Sequence, residues 1–367
     1  MPGVHVAVTL EQCWHAVPGG TAWSTLELVR ALAQRDDVEL VGVAARHREQ
    51  PLPQWRPPIE VRQLPLPRHL LYETWHAPFA RWPVVERATG PVDLVHATAV
   101  AYPASRAPVV VTVHDLAFLS DRQLATRHGH RFFRRGLELA KRHARLVMCP
   151  SRATMDECVA VGIDAGRLRL VPWGVAPSVV TADDVGRAQR KFRLTRDYVL
   201  FAGTIEPRKN LPRLLDAFAR VDGDVDLVLA GPAGWNEAID SQLAALGERV
   251  HPLGFVERAD LDALIAGAVL VCYPSTREGF GLPVLEAMIQ GTPVVTSKGT
   301  ATEEVAGDTG VLVDPLDVDA IAAGIHELVA DRDAARRLGE AGRKRAKTFT
   351  WDRTAELVAS VYSEALS

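Results

Sequence analysis

The sequence predicts an α/β chain built from two parallel-sheet domains with a cleft between them. Short apolar runs of strand length alternate with helical stretches, the pattern of parallel strands joined by crossover helices. The alternation occurs twice, on either side of residues 176–196, where no strong strand is legible. At 367 residues, 47% of them hydrophobic, the chain is long and apolar enough to fill two cores. A first domain is therefore expected at 1–175, a linker at 176–196 and a second domain at 197–350.

The first half opens with VHVAVTL (4–10), read as a buried strand because its apolar run is nearly continuous. The loop EQCWHAVPGGTAW follows, then an amphipathic helix over about 22–34. Gly19 and Gly20 are thereby expected in a strand-to-helix loop, where doubly wound sheets bind ligands. No G-x-G-x-x-G pattern follows this strand, so it is not a dinucleotide fingerprint. VELVGVA (38–44), VDLVHAT (92–98) and PVVVTVHD (108–115) read as further strands, with a short one at IEVRQL inside a loop rich in proline and arginine. His114 stands at the carboxyl end of its strand, pointing a titratable ring towards the crevice.

Residues 122–145 form a long helical stretch with concentrated positive charge. Arg122, Arg127, Arg131, Arg134, Arg135, Lys141, Arg142 and Arg145 accompany one acid, Glu138, while Phe132, Phe133, Leu137, Leu139 and Ala140 supply a buried side. This is either a solvated face or a patch for an anionic acceptor or an anionic membrane surface. LLYETWHAPFARW (70–82), with aromatics near basic residues, is a second candidate for such contact. LVMCPS, a helix over about 152–161 and RLRLVPWGV (167–175) close this half.

The second half alternates YVLFAG (198–203), helix, VDLVLAG (225–231), helix, HPLGFV, helix, and then VLVCYPSTREGFGLPVLEAMIQGTPVVTS (269–297). Pro283 just inside a helix start and Gly291 just past its end are the favoured places for these residues. GVLVDP, a helix over about 317–330 and a charged helix to about 349 follow. The final helix, WDRTAELVASVYSEAL, has the pattern to pack on either domain.

The chemistry concentrates in two loops. Gly279-Phe280-Gly281 feeds a helix N-terminus, whose backbone N–H groups and dipole suit an anion. Glu278 just before this turn would repel an anion, so its natural task is to accept hydrogen bonds from hydroxyls beside it. Glu286 lies five residues beyond Gly281, roughly 7 to 8 Å along the axis, leaning back towards the N-terminus. Polyol, phosphate and a second diol in line outline a nucleotide sugar. In GTIEPRKN (203–210), which opens at Gly203, Arg208 and Lys209 sit where a strand hands over to a helix, with Asn210 as the expected N-cap. Cations there would neutralise a diphosphate and stabilise it as a leaving group.

Composition excludes other classes. A formal charge of -3 is too balanced for wholesale nucleic-acid binding. Cys13, Cys149, Cys158 and Cys272 form no C-x-x-C pair and read as reduced structural thiols of a cytoplasmic protein. MPGVHVAVTL has no basic region followed by a long apolar segment, and no apolar run of about 18 residues occurs, so neither a leader nor a membrane span is expected. D-x-D matches at Asp222, Asp224, Asp260 and Asp317 occur in unrelated contexts and read as chance, mostly loops and helix starts; that no bound metal or cofactor is needed is an expectation of the resemblance described next.

GTIEPRKN and EGFGLPVLEAM, about seventy residues apart, resemble the retaining two-domain (GT-B) glycosyltransferases of family 4, also termed group 1, in their bacterial mannosyltransferase-like form. Glu278 and Glu286 match the family's E-x7-E motif, and the PGG loop, His114-Asp115, PSRAT, VPWGV and the WDRTAELVASVYSEAL tail extend the resemblance over most of the chain. It implies two Rossmann-like domains, with residues 351–367 crossing back to complete the first. It also implies that Arg208 and Lys209 hold the donor diphosphate with amides of Phe280, Gly281 and Leu282. Glu278 would bind the transferred sugar, Glu286 the ribose, and main-chain groups at Phe255 and Val256 the base. Gly19 and Gly20 would approach the diphosphate, and His114 the donor sugar. Thr204 departs from the pattern, standing where some phosphatidylinositol mannosyltransferases carry another arginine. The implied reaction is metal-independent transfer of a hexose, mannose from GDP-mannose first, to a glycan or lipid-linked glycan. Such an acceptor would bring the protein to the inner face of the plasma membrane. UDP-glucose or UDP-N-acetylglucosamine as donor, and a nucleotide-sugar epimerase, are the alternatives.

Overall fold

The structure, a computed structural model, describes residues 3–15, 19–78, 81–120, 127–232 and 239–367. The chain divides into two compact units, Met1–Gly174 with Thr350–Ser367, and Val175–Phe349.

The first unit runs β1 (Val4–Thr9), α1 (Gly19–Leu32), β2 (Val38–Ala44), β3 (Val61–Gln63), α2 (Arg68–Trp75), α3 (Glu86–Thr89), β4 (Leu94–Ala97), β5 (Val109–Thr112), α4 (Ala117–Ser120), α5 (Arg127–His143), β6 (Leu146–Cys149), α6 (Arg152–Ala160) and β7 (Leu168–Leu170). Its strands form one sheet in the order β3-β2-β1-β4-β5-β6-β7, with every pairing parallel. β4, β5 and β6 are buried along their whole length, as expected of strands covered on both faces.

The second unit runs α7 (Ala182–Phe192), β8 (Asp197–Ala202), α8 (Leu211–Phe218), β9 (Val225–Ala230), α9 (Asp240–Leu246), β10 (Val250–Gly254), α10 (Arg258–Gly267), β11 (Leu270–Tyr273), α11 (Leu282–Gln290), β12 (Val294–Ser297), α12 (Ala301–Ala306), β13 (Val311–Val313), α13 (Val318–Ala330) and α14 (Arg332–Ala346). Its sheet, β10-β9-β8-β11-β12-β13, is also all parallel. In each sheet the order reverses beside the first strand, at β1/β4 and at β8/β11. Such switch points leave a crevice outside the carboxyl ends of the strands, where open α/β sheets bind ligands.

The last helix, α15 (Trp351–Leu366), belongs to the first unit. Trp351 stacks near Trp173, Thr354 donates to the Pro172 carbonyl at 2.8 Å, and Arg169 donates to Glu364 at 2.7 Å. The Tyr362 hydroxyl meets Nδ1 of His96 at 2.8 Å, with both residues fully buried. Burial pushes the His96 imidazole down to about 3, so this bond joins neutral groups.

Three expectations change. Residues 176–196 are grouped with the second unit and carry α7, opened by a full capping box between Thr181 and Asp184. Only Ala188 of this helix is buried, so apolar periodicity gave it no signal. Gly19 and Gly20 open α1 where they were expected in the preceding loop, with Gly19 at φ 65, a left-handed entry that glycine adopts without strain. Of the long basic stretch, Arg127–His143 is helical as α5, and Arg122 lies outside the described residues, as do Phe79 and Ala80 of the aromatic stretch.

Candidate functional site

The switch point of the second sheet brings together two loops that the sequence keeps far apart. β8 and β11 pair side by side, Val199 against Leu270 and Leu200 against Val271. The loops leaving their carboxyl ends, 203–210 and 274–281, therefore meet. Ser275 donates to the Arg208 carbonyl at 2.7 Å, and the Thr276 amide donates to the same oxygen at 2.8 Å. Asn210 occupies the N-cap position of α8 at φ 63 but makes no capping bond. Its side chain instead donates to the carbonyls of Pro274 at 2.9 Å and Pro315 at 2.6 Å. That corrects the expected cap: the amide is used to staple loops together.

On this frame Glu278 is held by both basic residues. Arg208 Nη1 donates to its Oε2 at 2.7 Å and Lys209 Nζ to its Oε1 at 2.6 Å. Ser275 at 2.7 Å and Tyr273 at 3.0 Å donate to Oε1 as well, and Tyr273 also contacts Lys209. Arg208 reaches a second acid, Glu206, at 2.7 Å. Burial opposes ionisation of Glu278, but Lys209 and Arg208 outweigh it and hold the carboxyl down at about 2. Burial pulls the Lys209 ammonium below the usual lysine range, against the attraction of Glu278. The Tyr273 hydroxyl is pushed well up, first by burial and then by Glu278, and stays a neutral donor.

Immediately beyond, Gly281 at φ 107 starts α11, with Pro283 in its first turn. Gly279 and Phe280 are buried, and Glu286 lies on α11 with 8% exposure. Arg258, from the first turn of α10, pairs with Glu286 and donates to Asp262 at 2.8 Å. Burial raises the Glu286 carboxyl and Arg258 opposes that rise. Val256 is buried after β10, whereas Phe255 is 74% exposed. Gly203 ends β8 in an extended turn at φ 154, and a Cβ at neighbouring Gly231 would fall 2.0 Å from its carbonyl oxygen.

The structure thus joins Arg208, Lys209, Glu278 and Gly203 at one sheet end, with Phe280, Gly281 and Leu282 at the adjoining helix start. Gly19, Gly20 and His114 belong to the other unit. There the His114 Nε2 donates to the Thr98 carbonyl at 2.7 Å, which leaves Nδ1 as the acceptor of a neutral ring. Burial lowers its affinity for a proton, keeping it neutral. Sequence reasoning missed Glu206, Tyr273, Ser275 and Arg258. Glu206 stands two residues before Arg208 in the quoted motif, but Tyr273 and Ser275 read as the end of an apolar strand and a turn. Acids from the D-x-D matches have protein partners: Asp226 meets His251 at 2.8 Å, and Asp317 caps α13.

Two family models match the chain, Glycosyltransferase Family 4 over residues 18–179 and Glycosyl transferases group 1 over residues 183–345. O-antigen chain mannosyltransferase B of Escherichia coli is 34% identical over 66% of this chain and 67% of its own length. MMP alpha-(1->4)-mannosyltransferase of Mycolicibacterium hassiacum is 33% identical over 71% of this chain and 66% of its own length. The Anabaena HepE protein, solved in complex with UDP and glucose, superposes with a TM-score of 0.77 over 98% of this chain and 100% of its own, at 21% identity. That likeness carries the two-domain GT-B fold.

Proposed function

This chain belongs to the group 1 and family 4 glycosyltransferases, and on that premise we propose a retaining, metal-independent hexosyltransferase that moves mannose from GDP-mannose to a hydroxyl of a glycan or lipid-linked glycan. The Arg208–Lys209–Glu278 cluster against the start of α11 carries this reading. Two relatives named as mannosyltransferases support the sugar.

As the bond between the sugar C1 and the phosphate oxygen breaks, charge builds on the diphosphate. Arg208, Lys209 and the α11 N-terminus stabilise it there. The acceptor oxygen forms its bond to C1 on the same face, and its proton passes to the departing phosphate oxygen. Glu278 serves this step without becoming covalent. A carboxylate held at about 2, with both oxygens engaged by cations, is a weak base and nucleophile. It holds the two cations in place and offers its remaining acceptor capacity to sugar hydroxyls. Glu286 then holds the ribose, and the main chain at Phe255 and Val256 the base. The roles of Gly19, Gly20 and His114 rest on the family resemblance. Among the described residues no helix is long and apolar enough to cross a membrane. The proposed setting is cytoplasmic, with a lipid-linked acceptor drawing the enzyme to the inner face of the plasma membrane.

The test is transfer from GDP-mannose, UDP-glucose and UDP-N-acetylglucosamine to acceptor extracts, for the wild type and for R208A/K209A. Transfer is expected from GDP-mannose, with α configuration kept in the product, and loss of at least about a hundredfold in the folded variant. Full turnover by that variant removes the assignment. Donor conversion without acceptor would favour an epimerase.

A further inference from the structure

Tyr273 brings a buried hydroxyl to the sheet-end cluster, although its strand is otherwise apolar. It closes β11, where Leu270, Val271 and Cys272 are buried with it. The ring stacks near Phe201 of β8 at 5.8 Å between centroids. Tyr273 pairs with Thr296 in the register of β11 on β12, and the Thr296 hydroxyl donates to the Tyr273 carbonyl at 2.9 Å. Backbone and ring are thus fixed by contacts that a phenylalanine would make equally well. Packing does not call for the hydroxyl.

A hydroxyl closed off from water has to find its partners within the protein. Among the described residues this one has two, and both belong to the cluster. Lys209 Nζ donates to it, and it donates in turn to Glu278 Oε1 at 3.0 Å. Lys209 also donates directly to that Oε1 at 2.6 Å, so the three groups close a triangle. Ser275 Oγ lies 2.7 Å from the same oxygen, but its other contacts are the Arg208 and Arg277 carbonyls and not Lys209.

Lysine is a point charge on a flexible stem, and one bond to Glu278 would let the ammonium swing about a single oxygen. The hydroxyl adds a second acceptor and so a fixed direction. An ammonium has three donors, of which the triangle engages two and leaves the third for an incoming oxygen. Accepting from the ammonium and donating to the carboxylate also favours the charged form of both. The other charges facing Lys209 are Glu206, which attracts it, and Arg208, which repels it, while burial weakens its hold on the proton. The Tyr273 hydroxyl enters this balance without a charge of its own.

We propose that Tyr273 is a positioning residue for Lys209, its hydroxyl holding the ammonium charged and in place for the leaving diphosphate. That task for Lys209 rests on the glycosyltransferase reading above. Tyr273 itself touches neither sugar nor phosphate in this scheme.

The test is calorimetric binding of GDP and of UDP from about pH 7 to 10, with kcat and KM for the donor, in wild type, Y273F, S275A, K209M and Y273F/K209M. Y273F keeps the ring, and cooperative urea unfolding checks that it is folded. It should bind the nucleotide diphosphate about tenfold more weakly, and kcat should fall by a similar factor with KM for the donor hardly changed. The loss of affinity with rising pH should begin at lower pH in Y273F, because without the hydroxyl Lys209 gives up its proton more easily. S275A should keep the wild-type pH profile, and titration of the nucleotide itself is common to all five proteins. In the K209M background Y273F should cost no further affinity. Wild-type affinity, kcat and pH profile in Y273F would overturn the proposal, as would an undiminished loss in the K209M background. S275A shifting the profile as Y273F does would place the effect on Glu278 and overturn it as well. Nucleotide binding that Y273F leaves intact removes only the positioning role. A wild type that binds neither nucleotide removes the donor reading and this proposal with it.

Discussion

Glu278 shows how a single residue couples fold and chemistry. The ordinary glutamate value of 4.5 falls to about 2 in the folded chain, so the native state binds fewer protons than the unfolded one in the acid range. The stabilisation is fully present above about pH 4.5 and is lost as pH falls towards 2. A shift of that size corresponds to about 3 kcal/mol. Urea unfolding between pH 2 and 6 should therefore show a steep acid limb in the wild type. In E278Q that limb should flatten, and stability at neutral pH should drop by about 3 kcal/mol, because buried Lys209 loses its counter-charge while Arg208 keeps Glu206. An unchanged limb would mean that Glu278 is not the linked group. The sequence made Arg208, Lys209 and Glu278 legible as candidates but gave them separate tasks. Their coupling depends on β8 lying beside β11, a pairing between segments some seventy residues apart that no local pattern encodes.

At the scale of elements, α11 was the most legible piece, since Pro283 and Gly291 mark its ends and the structure places Gly291 at φ 80 as the C-cap. Its start depends on Gly281, whose φ of 107 an L-residue rarely adopts. A Cβ there would also sit 2.8 Å from the Thr302 Cγ2 on α12. G281A should cost roughly 1–2 kcal/mol from the backbone alone. It should raise KM for the donor more than any loss of fold explains, because the α11 amides move. Unfolding by denaturant and KM measured on the same preparation check this, and an unchanged KM would detach the helix start from donor binding. By contrast α7 was invisible to apolar periodicity, although T-A-D-D carried its capping box in plain view. Several strand ends fall inside the apolar runs, as in PVVVTVHD, where the run continues into buried Val113 beyond the end of β5 at Thr112.

For the whole molecule, the chain's last helix closes its first unit. Trp351, Val358, Val361 and Tyr362 of α15 are buried, and a Cβ at Gly174 would collide with the Trp351 backbone at 2.3 Å. The amphipathic pattern of this helix does not say which sheet it covers, and only the family resemblance assigned it to the first domain. The buried Tyr362–His96 bond identifies the partner and offers a probe. His96 also meets Thr112 at 2.8 Å, so both ring nitrogens are satisfied in the native chain. Removing the tyrosine hydroxyl orphans Nδ1 in a fully buried place, at a cost of about 1–3 kcal/mol. Y362F should lower the calorimetric transition of the first unit while leaving that of Val175–Phe349 unchanged. If both transitions moved together by the same amount, the two units would unfold as one cooperative body, and the second unit would owe its stability to a helix bound to the other sheet.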